Sequence, residues 1–193
     1  MVVEIKSKKY TPKEYLELET AAENKHEYRE GEIIAMTGGS ANHNDIAGNF
    51  YAHLKFALRQ KAYKVFIGDV RLWISTSQLF TYPDVMLIAR EPVFYAERTD
   101  TVTNPQLIVE VLSKSTRNYD QGDKFDAYRT IPEFREYLLV DQYRIYVKHF
   151  IKTEEGYWLL KEYRELQQIV NLESVDFKIR LNEIYEGVNL QNP

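Results

Sequence analysis

Two carboxylates set into apolar strands, and one lysine on a helix, are the side chains of this sequence best placed to do chemistry. In Gln106-Leu107-Ile108-Val109-Glu110-Val111-Leu112 the side chains alternate between faces. Glu110 therefore shares a face with Ile108 and Leu112, while Leu107, Val109 and Val111 occupy the other. Both faces are apolar, the pattern of a strand covered on both sides. An ionised carboxylate there is costly unless it is paired or bound to a cation. Asp84 follows Pro83 in Thr81-Tyr82-Pro83-Asp84-Val85-Met86-Leu87-Ile88, on the face of Tyr82 and Met86. Pro83 has no N–H for a ladder and marks a strand start or an edge. Taken singly, each acid also fits a blander role: Glu110 as the edge-strand partner of an Arg or Lys, Asp84 as a turn residue. On neighbouring strands the two repel unless a cation or a shared proton lies between them. Oxygen-only ligands select a hard ion such as Mg²⁺ or Mn²⁺.

Asp120 and Lys124, in Asp120-Gln121-Gly122-Asp123-Lys124, are four residues apart and share a helical face. They read either as a solvated ion pair or as an ammonium placed to orient or deprotonate a water, or to stabilise an oxyanion. Glu27 could complete a metal shell or sit on a surface hairpin. His43, at the start of a helix, reads as a cap, a packed residue or a ligand. His26, His43, His53 and His149 show no HExxH spacing, Gly38-Gly39-Ser40 lacks the phosphate-loop pattern, and there is no GxSxG elbow.

The elements that must position these groups follow from local signals. Thr11 as N-cap, Pro12 in the first turn and Glu14 closing a capping box predict a short helix. Residues 26–36 predict a hairpin turning at Glu30-Gly31. Ile46, Phe50, Leu54 and Ala57-Leu58 recur at steps of three and four, which predicts a helix over 43–60. Strands are expected at 64–67, 70–74, 82–88, 106–112, 136–140, 145–150 and 157–163, with helices at 120–129 and 181–186. This order implies one α/β domain over 1–193, a mixed central sheet flanked by helices.

Composition narrows the function. The 193 residues contain no cysteine, which excludes a disulfide framework, a thiolate zinc site, an iron–sulfur cluster and a cysteine nucleophile. No apolar run approaches the ~20 residues of a membrane span. The start, Met1-Val2-Val3-Glu4-Ile5-Lys6-Ser7-Lys8-Lys9, lacks the features of a signal peptide, so a cytoplasmic protein is expected. The net charge of −4 is opposite in sign to that of most dedicated nucleic-acid binders. It leaves room for a site that gathers metal cations.

The chain resembles the Uma-two family, described as restriction endonucleases. The matching pieces run in order: Glu27-Tyr28-Arg29-Glu30-Gly31-Glu32-Ile33-Ile34-Ala35-Met36, Gly39-Ser40-Ala41-Asn42-His43, Pro83-Asp84-Val85, Val109-Glu110-Val111-Leu112-Ser113-Lys114-Ser115-Thr116, Asp120 to Tyr128, and Glu136-Tyr137-Leu138-Leu139-Val140-Asp141. The resemblance implies the PD-(D/E)XK restriction-endonuclease-like fold. It makes Asp84 the acid of the PD element, Glu110 the next acid and Glu27 the N-terminal one, together holding Mg²⁺ or Mn²⁺ for hydrolysis of DNA. One departure is plain: the superfamily lysine would stand two residues after Glu110, where this chain has Leu112. Lys124 on the following helix is the candidate, with Lys114 as its rival. A noncatalytic binding or assembly module on the same fold is the alternative, and an RNA substrate a third reading. A homodimer is also expected, since twofold symmetry suits cutting both strands. Tyr137, Tyr143, Tyr146, Tyr157 and Tyr163 are candidates for its interface.

Overall fold

Local signals decide where each element begins. The computed structural model of the chain describes residues 8–190, so the first seven residues of the N-terminal stretch read above lie outside it. Helix α1 (Pro12–Ala21) opens on Thr11, whose hydroxyl accepts from the Glu14 amide at 3.2 Å, while the Glu14 carboxylate accepts from the Thr11 amide at 2.7 Å. Thr11→Ala removes this reciprocal cap. It is expected to lower stability by about 1 kcal/mol, read as a shift of the urea midpoint; an unchanged midpoint would show that the cap contributes nothing.

Strands β1 (His26–Arg29) and β2 (Glu32–Ala35) form a hairpin joined by Glu30 and Gly31, both at positive φ. That is the conformation of a tight two-residue hairpin turn. Helix α2 (Ala41–Ala57) is capped by Ser40 and is followed by β3 (Tyr63–Ile67) and β4 (Arg71–Ile74). The strand expected at 82–88 begins only at Val85, as β6 (Val85–Ala89), and is preceded by a strand that sequence reading missed, β5 (Leu79–Thr81), in the other sheet. Proline cannot donate to a ladder, so the chain changes sheets across Tyr82-Pro83-Asp84.

The short β7 (Thr101–Val102) precedes β8 (Leu107–Leu112), every residue of which is buried. The helix expected at 120–129 is broken at Gly122 into α3 (Arg117–Gln121) and α4 (Asp123–Tyr128). The Gly122 amide bonds back to Asn118 and Tyr119, and a Cβ at that position would stand 3.2 Å from the Asn118 carbonyl. Strands β9 (Glu136–Asp141), β10 (Val147–Lys152) and β11 (Trp158–Tyr163) follow as expected. A hairpin that sequence reading missed, β12 (Ile169–Leu172) with β13 (Phe177–Arg180), leads into α5 (Leu181–Ile184).

The strands form a six-stranded sheet in the order β11-β10-β9-β8-β6-β3 and a five-stranded one in the order β2-β1-β5-β4-β7. Both are mixed: β8 runs parallel to β9 and β4 to β7, the other pairs being antiparallel. One face of the six-stranded sheet, with Val85, Val109 and Val111, packs under Ile46, Phe50 and Leu54 of α2 and the β12–β13 hairpin. The other face, with Ile108, Leu112 and Leu139, packs on Phe125 and Tyr128 of α4 and on Leu72 and Ile74 of β4. The far side of the smaller sheet buries Tyr28, Trp73 and Phe80 against Tyr15 and Leu16 of α1. Tyr137 and Tyr146 are buried within this frame. Among the described residues no helix is long and apolar enough to cross a membrane.

Candidate active site

Glu110 stands in the middle of β8, an interior strand, so the reading of it as an edge residue does not hold. Its side chain leaves the face shared with Ile108 and Leu112 and is 3% exposed. Glu110 Oε1 accepts from the Lys124 ammonium at 2.9 Å and from the Tyr128 hydroxyl at 2.7 Å. Both donors come from α4, one turn apart. Phe125, between them in sequence, stacks on Tyr137 at 5.2 Å and meets Trp158 edge-on at 5.1 Å. Those rings pin the short helix and aim Lys124 and Tyr128 at β8.

Asp84 lies one step beyond the paired residues Val85 and Val109, opposite Glu110. Its Oδ2 accepts from the Val111 amide at 2.7 Å and lies 3.2 Å from His43 Nε2; its own amide points at Glu110 Oε2 at 3.4 Å. Ser40 starts α2 so that His43, in its first turn, reaches this corner. The Lys124 ammonium also lies 3.4 Å from Asp120 and 3.6 Å from Glu27. Glu27 accepts the hydroxyl proton of Thr81 from the adjacent strand. Glu27, Asp84, Glu110, Asp120, Lys124 and His43 are thus one linked cluster. Lys114 is not part of it: it is exposed, with its ammonium over the Tyr143 ring. The hydroxyls of Tyr128 and Thr81 were not singled out in the sequence. The one available signal was Tyr128 standing four residues after Lys124, on the same helical face.

The cluster carries more negative than positive charge, and its proton affinities follow. Burial pushes the Glu110 carboxyl up, and Asp84 and Asp120 add to the effect against the opposing pull of Lys124. Burial likewise raises Asp120. For Lys124 burial works the other way, yet Glu110, Glu27 and Asp120 together hold its ammonium well above the ordinary lysine value. His43 is raised as well: burial opposes the imidazolium, but the bond to Asp84 and the fields of Glu110 and Asp120 outweigh it.

The donor set suits a hard cation in kind, being all carboxylate oxygen around the opening. Asp84 Oδ1 accepts no hydrogen bond among the described residues, and Glu110 Oε2 receives only the long contact from the Asp84 amide. Those two oxygens could hold Mg²⁺ or Mn²⁺. Glu27, the expected third ligand, is engaged by Thr81 and Lys124. Among the described residues no three such side chains form a ready-made cage. Mg²⁺ is commonly held by one or two carboxylates, with water and substrate phosphate completing the shell, so two open oxygens are compatible with it.

Comparison with known proteins places this chain in a family. Residues 12–182 match the Uma2 family, described as "Putative restriction endonuclease". The uncharacterized protein sll1609 of Synechocystis sp. is 45% identical over 162 residues, covering 84% of this chain and 92% of its own length. A second from the same organism, slr1290, is 34% identical over 180 residues, covering 93% of each. Among solved structures, a "putative nuclease belonging to DUF820" from Anabaena variabilis superposes with a TM-score of 0.74 at 17% identity, over 91% of this chain and 97% of that one. The fold is therefore shared with that protein, and the chain belongs to the Uma2 family.

Proposed function

We propose that this protein is a metal-dependent endonuclease that hydrolyses DNA phosphodiester bonds. The observation that carries the reading is the buried Lys124 ammonium, 2.9 Å from Glu110, whose other oxygen faces the amide of Asp84, an acid with a side chain 21% exposed. One strongly held cation thus grips the first of two neighbouring carboxylates with open oxygens, and the second has a route to solvent. Family membership and the fold of the Anabaena protein support the same chemistry.

Asp84 and Glu110 would hold Mg²⁺ or Mn²⁺. Such an ion, when bound, polarises a phosphoryl oxygen and lowers the pKa of a coordinated water. Lys124 is not the base, since the surrounding carboxylates keep it protonated. Its fixed positive charge orients the attacking water and stabilises negative charge developing on the phosphate. His43 holds Asp84 from one side and the Val111 amide holds it from the other, so its open oxygen keeps one direction. Tyr128 fixes Glu110 in the same way.

The test is cleavage of supercoiled plasmid with Mg²⁺ or Mn²⁺. Asp84→Asn is expected to slow it about 100-fold or more, the loss typical of removing one preorganised electrostatic group. Equal rates in wild type and variant would remove the proposal. A second reading, a noncatalytic module, is favoured by the net charge of −4 and by the lysine already bonded among the acids. It predicts no Mn²⁺ heat in calorimetry that Asp84→Asn abolishes.

A further inference from the structure

We propose that Arg29, held on the ring of Tyr119, is a phosphate-binding residue at the lip of the carboxylate site. It would grip a phosphodiester next to the one hydrolysed. This rests on the nuclease reading and assigns a substrate contact that neither motif nor family match supplies.

Arg29 is two residues after Glu27 on β1, so both side chains leave the same face of the strand. Tyr28 between them points the other way, into the cluster of Tyr15, Trp73 and Phe80. The Arg29 guanidinium carbon stands 4.7 Å from the centroid of the Tyr119 ring, and the Lys124 ammonium stands 5.7 Å from that same ring. One aromatic plate on α3 therefore spaces an arginine from the lysine of the cluster. The Tyr119 hydroxyl is buried and has no hydrogen-bond partner among the described residues.

Arg29 is half-buried, yet among the described residues its guanidinium makes no ion pair and no hydrogen bond. Arg71, Arg98 and Arg117, by contrast, each meet an aspartate. A guanidinium lying over a ring face keeps its in-plane N–H donors free, and their fork matches two oxygens of a phosphate. The acids nearby are already bonded to Lys124, Thr81 and Tyr128. The free donors of Arg29 thus sit on the Tyr119 ring beside the acids, with an anionic oxygen as the complementary ligand. The blander account is a cation–π clasp that ties β1 to α3 and does nothing else.

The two accounts separate in binding. Fluorescence anisotropy of a labelled DNA duplex, with Ca²⁺ replacing Mg²⁺ to prevent cleavage, is measured across a salt series. Arg29→Ala is expected to weaken binding about tenfold or more and to flatten the log–log salt slope by about 1. Arg29→Lys should restore the slope, because the charge returns, but not the full affinity, because the fork does not. In plasmid cleavage KM should rise while kcat holds. A clasp alone predicts a lower melting temperature with wild-type affinity and slope, and that result overturns the inference. If wild type cleaves, Asp84→Asn does not, and Arg29→Ala matches wild type, only this inference falls. If wild type neither binds nor cleaves duplex, the nuclease reading falls and this one with it.

Discussion

Replacing Lys124 with methionine is expected to lower stability by about 3–5 kcal/mol, the range for removing one partner from a buried ion pair, and to abolish cleavage. Lys124 is 5% exposed, and its ammonium is the shared partner of Glu110, Asp120 and Glu27. Methionine matches the stem but leaves those carboxylates facing one another in a buried space. Much of the loss is thus the penalty of uncompensated charge. The double variant Lys124→Met/Glu110→Gln should therefore recover part of the stability while staying inactive, since it removes the charge that stood nearest the ammonium. Urea denaturation of the two variants checks this. A single-variant loss below about 1 kcal/mol, the ordinary worth of an exposed pair, would mean that the cluster is open to water and the site is not preorganised.

Glu136→Ala should cost a similar amount, about 3–5 kcal/mol, at a place away from the cluster. Glu136 is fully buried at the start of β9. Its Oε1 lies 2.8 Å from His149 Nε2 and accepts from the Glu173 amide at 2.8 Å; Oε2 accepts from the Ser174 amide at 2.9 Å and from the Ser174 hydroxyl. Alanine would orphan two backbone amides and leave buried His149, whose Nδ1 already has no partner, without any. It would also release the β12–β13 turn from the six-stranded sheet. The pH dependence has a definite sign. Burial alone would raise the Glu136 carboxyl, but the bonds from His149, Ser174 and the Glu173 amide outweigh it and set it below its ordinary 4.5. Its contribution is therefore present above that ordinary value and is lost as pH falls through the lowered one. Urea midpoints of wild type and variant should differ widely at neutral pH and converge in strong acid. A gap that grows on acidification would contradict the assignment.

Both predictions turn on buried carboxylates, and the two acids differ in how visible they were. Glu110 stood out because its strand is apolar on both faces, a contrast written within seven consecutive residues. Glu136 begins a strand of the same kind, but its partners come from Ser174 and Glu173, 38 and 37 residues away. No local pattern announces them.

What the sequence determined by itself was whatever depends on neighbours along the chain. The Thr11–Glu14 cap, the Glu30-Gly31 turn, the amphipathic face of α2 and the interior character of β8 all arise from spacings of a few residues, where backbone geometry leaves little choice. Tertiary structure decided the rest. Pro83 signalled a break, but only the packing shows the chain crossing there from the five-stranded to the six-stranded sheet. Gly122 interrupts the expected helix, yet Asp120 and Lys124 still meet at 3.4 Å, because the chain resumes its helix at once in α4. Lys114 lies closer to Glu110 in sequence, but Lys124 reaches it, since Phe125 and Tyr128 bury their rings against the sheet and turn the lysine inward. His43, Thr81 and Tyr128 join the site for the same reason: long-range burial of apolar surface sets which polar groups end up together.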